Sequence, residues 1–361
     1  VGFWLPKTYA VAATPVAAFF TIMTKVGIYA ILRINGTVFD DPLSHSILAP
    51  WLLTIGLITS LYGAIAALGA ERLRRFVGFM ILSSVGTILV AIAMLNPQAW
   101  AGALYYMLHS TLIAAALYLM GGWITSQRGE FKDHLKVAPQ IKQQKVASIT
   151  FFIIALMMAG LPPFSGFLGK VFILQATAGH AYQAWIIATL LLVSLLSIIG
   201  FTRVGFILFW RATKPEDDVT SEAYLAYQVL HEKAPPRNDT GIYILLAILI
   251  GYVLFASPIQ RYMNSTALQI QTNELYEATI LKRDADNQVI SVQPYDPENL
   301  PQTKYAGESI DPNAHLIPYV ISKDTLQGEH ISEFKQRQIL KQQQQLSDPT
   351  GDKLQPVQEG Y

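Results

Sequence analysis

Three ionisable residues lie in stretches of this 361-residue chain that are otherwise apolar, and they define the chemistry it could perform: Lys25, His109 and Lys170. At 1.5 Å per helical residue Lys25 is about 12 Å from the charge at Arg33 and His109 is about 14 Å from Trp100. Both are too deep for an interfacial side chain that reaches back to water. Lys170 sits midway along its own apolar run. A charge at the centre of a bilayer costs at least about 2.5–3.5 kcal/mol, so the two lysines must face protein or water. No Asp or Glu occurs in these runs, so an ion-pair partner lies elsewhere or the amines are at times neutral. A desolvated amine can bind and release a proton, and histidine titrates near neutrality unaided. Lys, His and Lys on different helices therefore read as a proton relay with water between them.

Hydroxyls surround these positions. Thr21 and Thr24 flank Lys25, with Thr21 one helical turn away. Tyr105 is one turn from His109, and Ser110 is adjacent. Ser83, Ser84 and Thr87 fall in a third apolar run, Ser194 and Ser197 in a sixth. The bland reading stands beside this one: an intramembrane His, Ser or Thr often does no more than hydrogen-bond between helices. Arg33 and Arg203, near run ends, read as anchors, and Met80, Met157 and Met158 as core filler.

The elements that must position these residues are membrane helices. Hydrophobic residues make up 52% of the chain and charged ones only 14%, against about 25% in soluble domains. About 20 helical residues cross a bilayer core. On that template seven spans are expected, at roughly 9–33, 47–69, 74–95, 100–124, 146–178, 184–210 and 240–257. The expected fold is an all-α polytopic bundle over 1–258, followed by a polar and largely disordered tail over 259–361. The tail is rich in Gln, Asp, Lys and Pro and offers little apolar surface to offset ordering entropy. A short helix at 331–346 is its one candidate element.

The fifth span is about 33 residues long and is interrupted by Gly160-Leu161-Pro162-Pro163. Two prolines remove two backbone donors and clash with the preceding turn, which predicts a broken helix resuming near Phe164. A kinked helix or two short re-entrant pieces is the simpler alternative. Unwound backbone at membrane depth survives only where protein or water satisfies it, and transporters place such breaks on ion paths. The loops holding Arg72, Arg74 and Arg75, and Arg128, Lys132, Lys136, Lys142 and Lys145, alternate with loops that have no Lys or Arg. Positive loops stay inside, so the first span runs outward and seven spans leave the tail on the outer, periplasmic face of a bacterial inner membrane.

Several function classes fall away. The chain has no Cys, so disulfides and thiolate metal sites are excluded. No metal-ligand cluster, phosphate loop or cofactor fingerprint occurs, and a net charge of +1 gives no sign of nucleic-acid binding. No cofactor and no catalytic residue is expected. The chain starts at Val1 with no charged leader, which suggests that it begins inside a longer protein.

At these same residues the chain resembles a known family. Phe3-Trp4-Leu5-Pro6-Lys7, Thr24-Lys25-Val26-Gly27-Ile28-Tyr29-Ala30, Tyr105-Tyr106-Met107-Leu108-His109-Ser110-Thr111 and Gly160-Leu161-Pro162-Pro163-Phe164-Ser165-Gly166-Phe167-Leu168-Gly169-Lys170 look like the antiporter-like family. That family joins the large membrane subunits of respiratory complex I to Mrp-type multisubunit cation/proton antiporters. The D-type branch of the latter is the nearest, and the resemblance runs from about Val1 to Arg211. It implies fourteen helices with two inverted five-helix repeats, of which this chain would hold the last helix of the first repeat and the whole second repeat. Lys25, His109 and Lys170 then match the family's linking lysine, histidine and broken-helix lysine, and a glutamate–lysine pair would lie upstream.

Ile113 stands where complex I relatives tend to place a lysine, which favours the antiporter branch. Gly78-Phe79-Met80-Ile81-Leu82 replaces a polar stretch and weakens the case for a water path there. The expected function is a membrane subunit of a sodium or potassium/proton antiporter, working with sister subunits, protons, monovalent cations and the bilayer. Two rivals remain: a proton-pumping subunit of an NADH- or hydrogen-linked oxidoreductase, and a non-conducting structural subunit or truncated remnant.

Overall fold

The computed structural model describes residues 2, 4–37, 39, 42–212, 228–229 and 239–271. The tail from 272 onward, its candidate helix at 331–346, and the loop residues Asp40 and Asp41 lie outside the described residues.

Described elements are helical throughout, apart from one isolated antiparallel bridge between Arg72 and His134. In chain order the helices are α1 (Leu5–Val11), α2 (Thr14–Thr37), α3 (Pro42–Leu68), α4 (Leu73–Ala93), α5 (Pro97–Gln127), α6 (Gln144–Ala159), α7 (Ser165–Gln175), α8 (Gln183–Gly205), α9 (Thr240–Leu254) and α10 (Ala256–Gln271). Five helices are long and apolar enough to cross a membrane: Thr14–Thr37, Leu43–Leu68, Leu73–Ala93, Pro97–Gln127 and Gln183–Trp210. The pair α9–α10, bent by 80°, can supply one more, and α6 with α7 form the broken span. The chain is a multi-pass membrane protein; among the described residues five helices, or six with the bent pair, are long and apolar enough to cross, against the seven spans expected.

Burial sorts the helices by depth. Every residue of α4 is buried apart from its first-turn arginines, whereas α3 turns Trp51, Ile55, Ile58 and Ile65 outward and α8 turns Leu191, Leu195 and Ile199 outward. Apolar rows of that length suit lipid. Close packing of α3 on α4 depends on glycine: a Cβ on Gly86 would sit 2.2 Å from the Ser60 amide, and one on Gly63 2.5 Å from that of Ser83. The α5 helix is the hub, packing on α2, α4, α6, α7, α9 and α10. Its start is capped by Asn96, which accepts from the Ala99 amide at 2.7 Å.

Two elements differ from the expected spans. The first is split, because Ala12 is extended (ψ 153°) and ends α1, while Pro15 takes the second position of α2, where its missing N–H costs nothing. The Arg74 guanidinium donates to the Ala12 carbonyl. The fifth opens between Ala159 and Ser165, at the break that the prolines predict. After Leu254 the chain turns instead of ending its ordered part, and α10 lays Met263, Ala267 and Ile270 against the bundle. That stripe of three apolar residues in a polar stretch is too short for its period to stand out in the sequence.

The two positive loops lie together. The Leu73 amide donates to Asp133 and the Leu135 amide to Glu71, both at 2.8 Å. Arg128 donates to the carbonyls of Lys132, His134 and Lys136 at 3.2, 2.6 and 2.7 Å. Burial pushes its guanidinium down to about 10, Asp133 works in the other direction, and the group stays charged at neutral pH. Contacts away from these loops join other segments: Asn96 donates to the Ala176 carbonyl, and Ile270 packs on Gly36.

Candidate functional site

The break in the fifth span makes the site. An α-helix leaves the carbonyls of its last turn without intrahelical partners, and its C-terminus carries partial negative charge. Gly160 ends α6 with φ +82°, and the amides of Gly160 and Leu161 both return to the Leu156 carbonyl. That leaves the carbonyls of Met157 and Ala159 facing the interior. His109 and Lys170 both end there.

Lys170, buried on α7, donates to the Ala159 carbonyl at 2.8 Å and to Ser194 Oγ at 2.9 Å. Ser194 donates its own proton to Leu190 at 3.0 Å, so its oxygen is left as an acceptor for the amine. A Cβ on Gly160 would come within 3.0 Å of Lys170 Nζ, so glycine there allows both the left-handed turn and the passage of the amine.

His109 is 1% exposed, and its Nδ1 lies 2.8 Å from Ser165 Oγ at the start of α7. Nε2 has no hydrogen-bond partner among the described residues. A Cβ on Gly166 would stand 2.2 Å from the Met157 oxygen and 2.7 Å from Nε2. Tyr106 covers the ring at 5.9 Å between centroids.

Lys25 is buried on α2, and its Nζ has no hydrogen-bond partner among the described residues. Thr21 donates to Ala18 and, at 3.3 Å, to the Thr111 carbonyl, which ties α2 to α5 near the lysine. Thr24 bonds only within its helix and faces an apolar groove of about 550 Å³ shared with Tyr9, Phe20 and Leu89. An ammonium on Lys25 has no acceptor among the described residues, so its charged form needs an acceptor from outside them.

The supporting residues divide. Tyr105 turns away from His109: its hydroxyl donates to the Tyr252 carbonyl at 3.2 Å while Tyr252 donates to the Tyr105 carbonyl at 3.1 Å, a reciprocal clamp between α5 and α9. Ser110 bonds to Met107 within α5. Ser83 reaches Ser60, and Ser84, Thr87 and Ser197 bond to backbone within their own helices, so these hydroxyls serve packing. Arg203 donates to Ala70 as an anchor, and Arg33 is exposed. Sequence reasoning missed Ser165 as the partner of His109 and the Ala159 carbonyl as the partner of Lys170. The signal was present in the motif, since the residues on either side of a break are the ones with unused backbone groups.

The bundle thus holds three deeply buried titratable residues, two of them at the mouth of a broken helix. The model of the NADH:quinone oxidoreductase/Mrp antiporter transmembrane family matches residues 1–198, and the chain belongs to that family. It is 32% identical over 298 residues to the D subunit of a probable K+/H+ antiporter of Rhizobium meliloti, covering 74% of this chain and 52% of the relative. It is 32% identical over 286 residues to the D subunit of the Na+/H+ antiporter of Bacillus subtilis, covering 78% and 54%. Among solved structures it is similar to a chain of the Mrp complex from Dietzia sp. DQ12-45-1b, with TM-score 0.62 and 23% identity over 76% of this chain and 56% of that one; this likeness speaks to the fold. The chain spans about half the length of the curated relatives it matches.

Proposed function

We propose that this chain is a membrane subunit of a multisubunit monovalent cation/proton antiporter and carries part of its proton path through Lys25, His109 and Lys170. The observation that carries the reading is that Lys170 and His109, on different helices, both end at the last turn of α6, where the Ala159 carbonyl accepts from the Lys170 amine and the Met157 carbonyl lies near the His109 ring. Protons would pass between Lys25 and His109, and between His109 and Lys170, through water, each group taking the proton the previous one gives up. The chain works as a transporter subunit with sister subunits in a bacterial inner membrane, with sodium or potassium exchanged for protons. The tail then lies on the face opposite the positive loops. The packing of α10 near Gly36, at the far end of α2 from Thr14, supports that side. Ile113, fully buried where the oxidoreductase branch tends to have a lysine, favours antiport over redox-driven pumping.

The test is flux. The complete complex in proteoliposomes should dissipate an imposed pH gradient on addition of sodium or potassium. Proton movement with neither cation, but driven by a quinone reductant, would move the assignment to the oxidoreductase branch. No flux under either condition in an intact complex would favour the structural reading.

A further inference from the structure

The span of α8 ends in a π-turn over Phe206–Trp210, where the Arg211 amide donates to the Phe206 carbonyl at 2.9 Å. Such turns often sit at functional places. This one sorts its aromatic residues. Phe209 points inward, with its ring 5.4 Å from that of Phe151, while Phe206 and Trp210 are turned out, 48% and 79% exposed. Gln144 fastens the start of α6 to the same turn: its side chain accepts from the Ile141 amide at 3.2 Å and donates to the Phe209 carbonyl at 3.0 Å. Lys142, Lys145 and Arg211, all exposed, are thereby gathered at one end of the α6–α8 pair. Exposed Val146 and Ile149 continue that face along the apolar length of α6. No Asp or Glu occurs from 134 to 215, so neither helix supplies a counter-charge for the three cations.

We propose that this end of the α6–α8 pair binds an anionic phospholipid, its phosphate among Lys142, Lys145 and Arg211 and an acyl chain along Val146, Ile149 and Phe206. The residues are layered as a lipid is. Cations come first, then Trp210 at the depth where indoles settle in the interface, then the apolar row. Charge selects the occupant. A zwitterionic lipid would bring its own ammonium against three cations, and a free phosphate has nothing to place on the apolar row. Anionic headgroups are drawn to clusters of Lys and Arg at a membrane surface, and the exposed aromatic and aliphatic side chains beneath hold the chains that follow. The site lies outside the proton path and does not rest on the transport reading.

The test is native mass spectrometry of the complete complex in mild detergent, titrated with phosphatidylglycerol and with phosphatidylcholine of the same chains. Phosphatidylglycerol should bind more tightly. Each cation removed should cost about fivefold in affinity, and Lys142→Gln, Lys145→Gln and Arg211→Gln together roughly 100-fold. Lys132→Gln with Lys136→Gln, which takes two charges from the same loop but away from α6, should leave binding unchanged. Equal binding of the two lipids overturns the proposal. So does an unchanged preference in the triple variant, or an equal loss in the Lys132 and Lys136 variant, which would make the effect one of general surface charge. Displacement by an equal concentration of inorganic phosphate would reduce the site to an anion site, and no retained lipid would mean that another subunit covers this face; either result overturns it. The comparison of lipids and phosphate on the wild type decides the matter even if the triple variant fails to accumulate.

Discussion

Lys170 donates across the helix break to the carbonyl of Ala159, at 2.8 Å, so the amine takes the place of the backbone amide that an unbroken helix would have supplied. The break and the lysine form one unit. Pro162 and Pro163 remove the amides, Gly160 turns the chain, and Lys170 fills the acceptor that results.

Gly160→Ala should therefore disturb both. A left-handed alanine costs roughly 1–2 kcal/mol, and the new methyl would stand within 3.0 Å of the amine. The expected outcome is a lower melting temperature together with reduced cation-dependent flux. An unchanged melting temperature with full flux would show that the turn is not held as described.

Ser194→Ala removes the second partner of Lys170 and leaves its carbonyl bond in place. Flux should fall and its pH profile should move, with Ser194→Thr close to wild type, because the amine then loses an acceptor that distinguishes its charged form. Identical pH profiles for the two variants would make Ser194 a bystander.

His109→Ala should slow transport and flatten its dependence on pH, whereas His109→Lys, which keeps a titratable nitrogen, should retain more activity. If the Ala variant keeps the wild-type pH profile, His109 belongs to packing and the contact with Ser165 is structural.

Away from the site, Gly86→Ala should destabilise the bundle without touching the relay. Its Cβ would meet the Ser60 backbone at 2.2 Å, and overpacking of that kind costs about 1–3 kcal/mol. Thermal unfolding in detergent reads the loss. A wild-type melting curve would mean that α3 and α4 sit further apart than the contact indicates.

Much of this was legible in the residues themselves. The seven apolar runs, the break at Gly160–Pro163 and the depth of Lys25, His109 and Lys170 follow from bilayer thickness and from the chemistry of proline. What could not be read is what depends on rotation between helices. Tyr105 is one turn from His109 along α5, yet its hydroxyl bonds to Tyr252, because the ring points toward α9 and sequence spacing gives no partner outside the helix. Ser194 is one hydroxyl among several until the register of α8 against α7 brings it to Lys170. The amphipathic α10 escaped for a different reason, since its buried face has only Met263, Ala267 and Ile270.

The most direct test of the account is cation-driven proton flux in vesicles with Lys170→Ala in the full-length protein, alongside assembly measured in the same membranes. A group that must carry the proton in each turnover is worth on the order of 10²-fold in rate, so flux should fall to background while assembly stays normal. Normal flux with normal assembly would contradict the relay at its best-defined position.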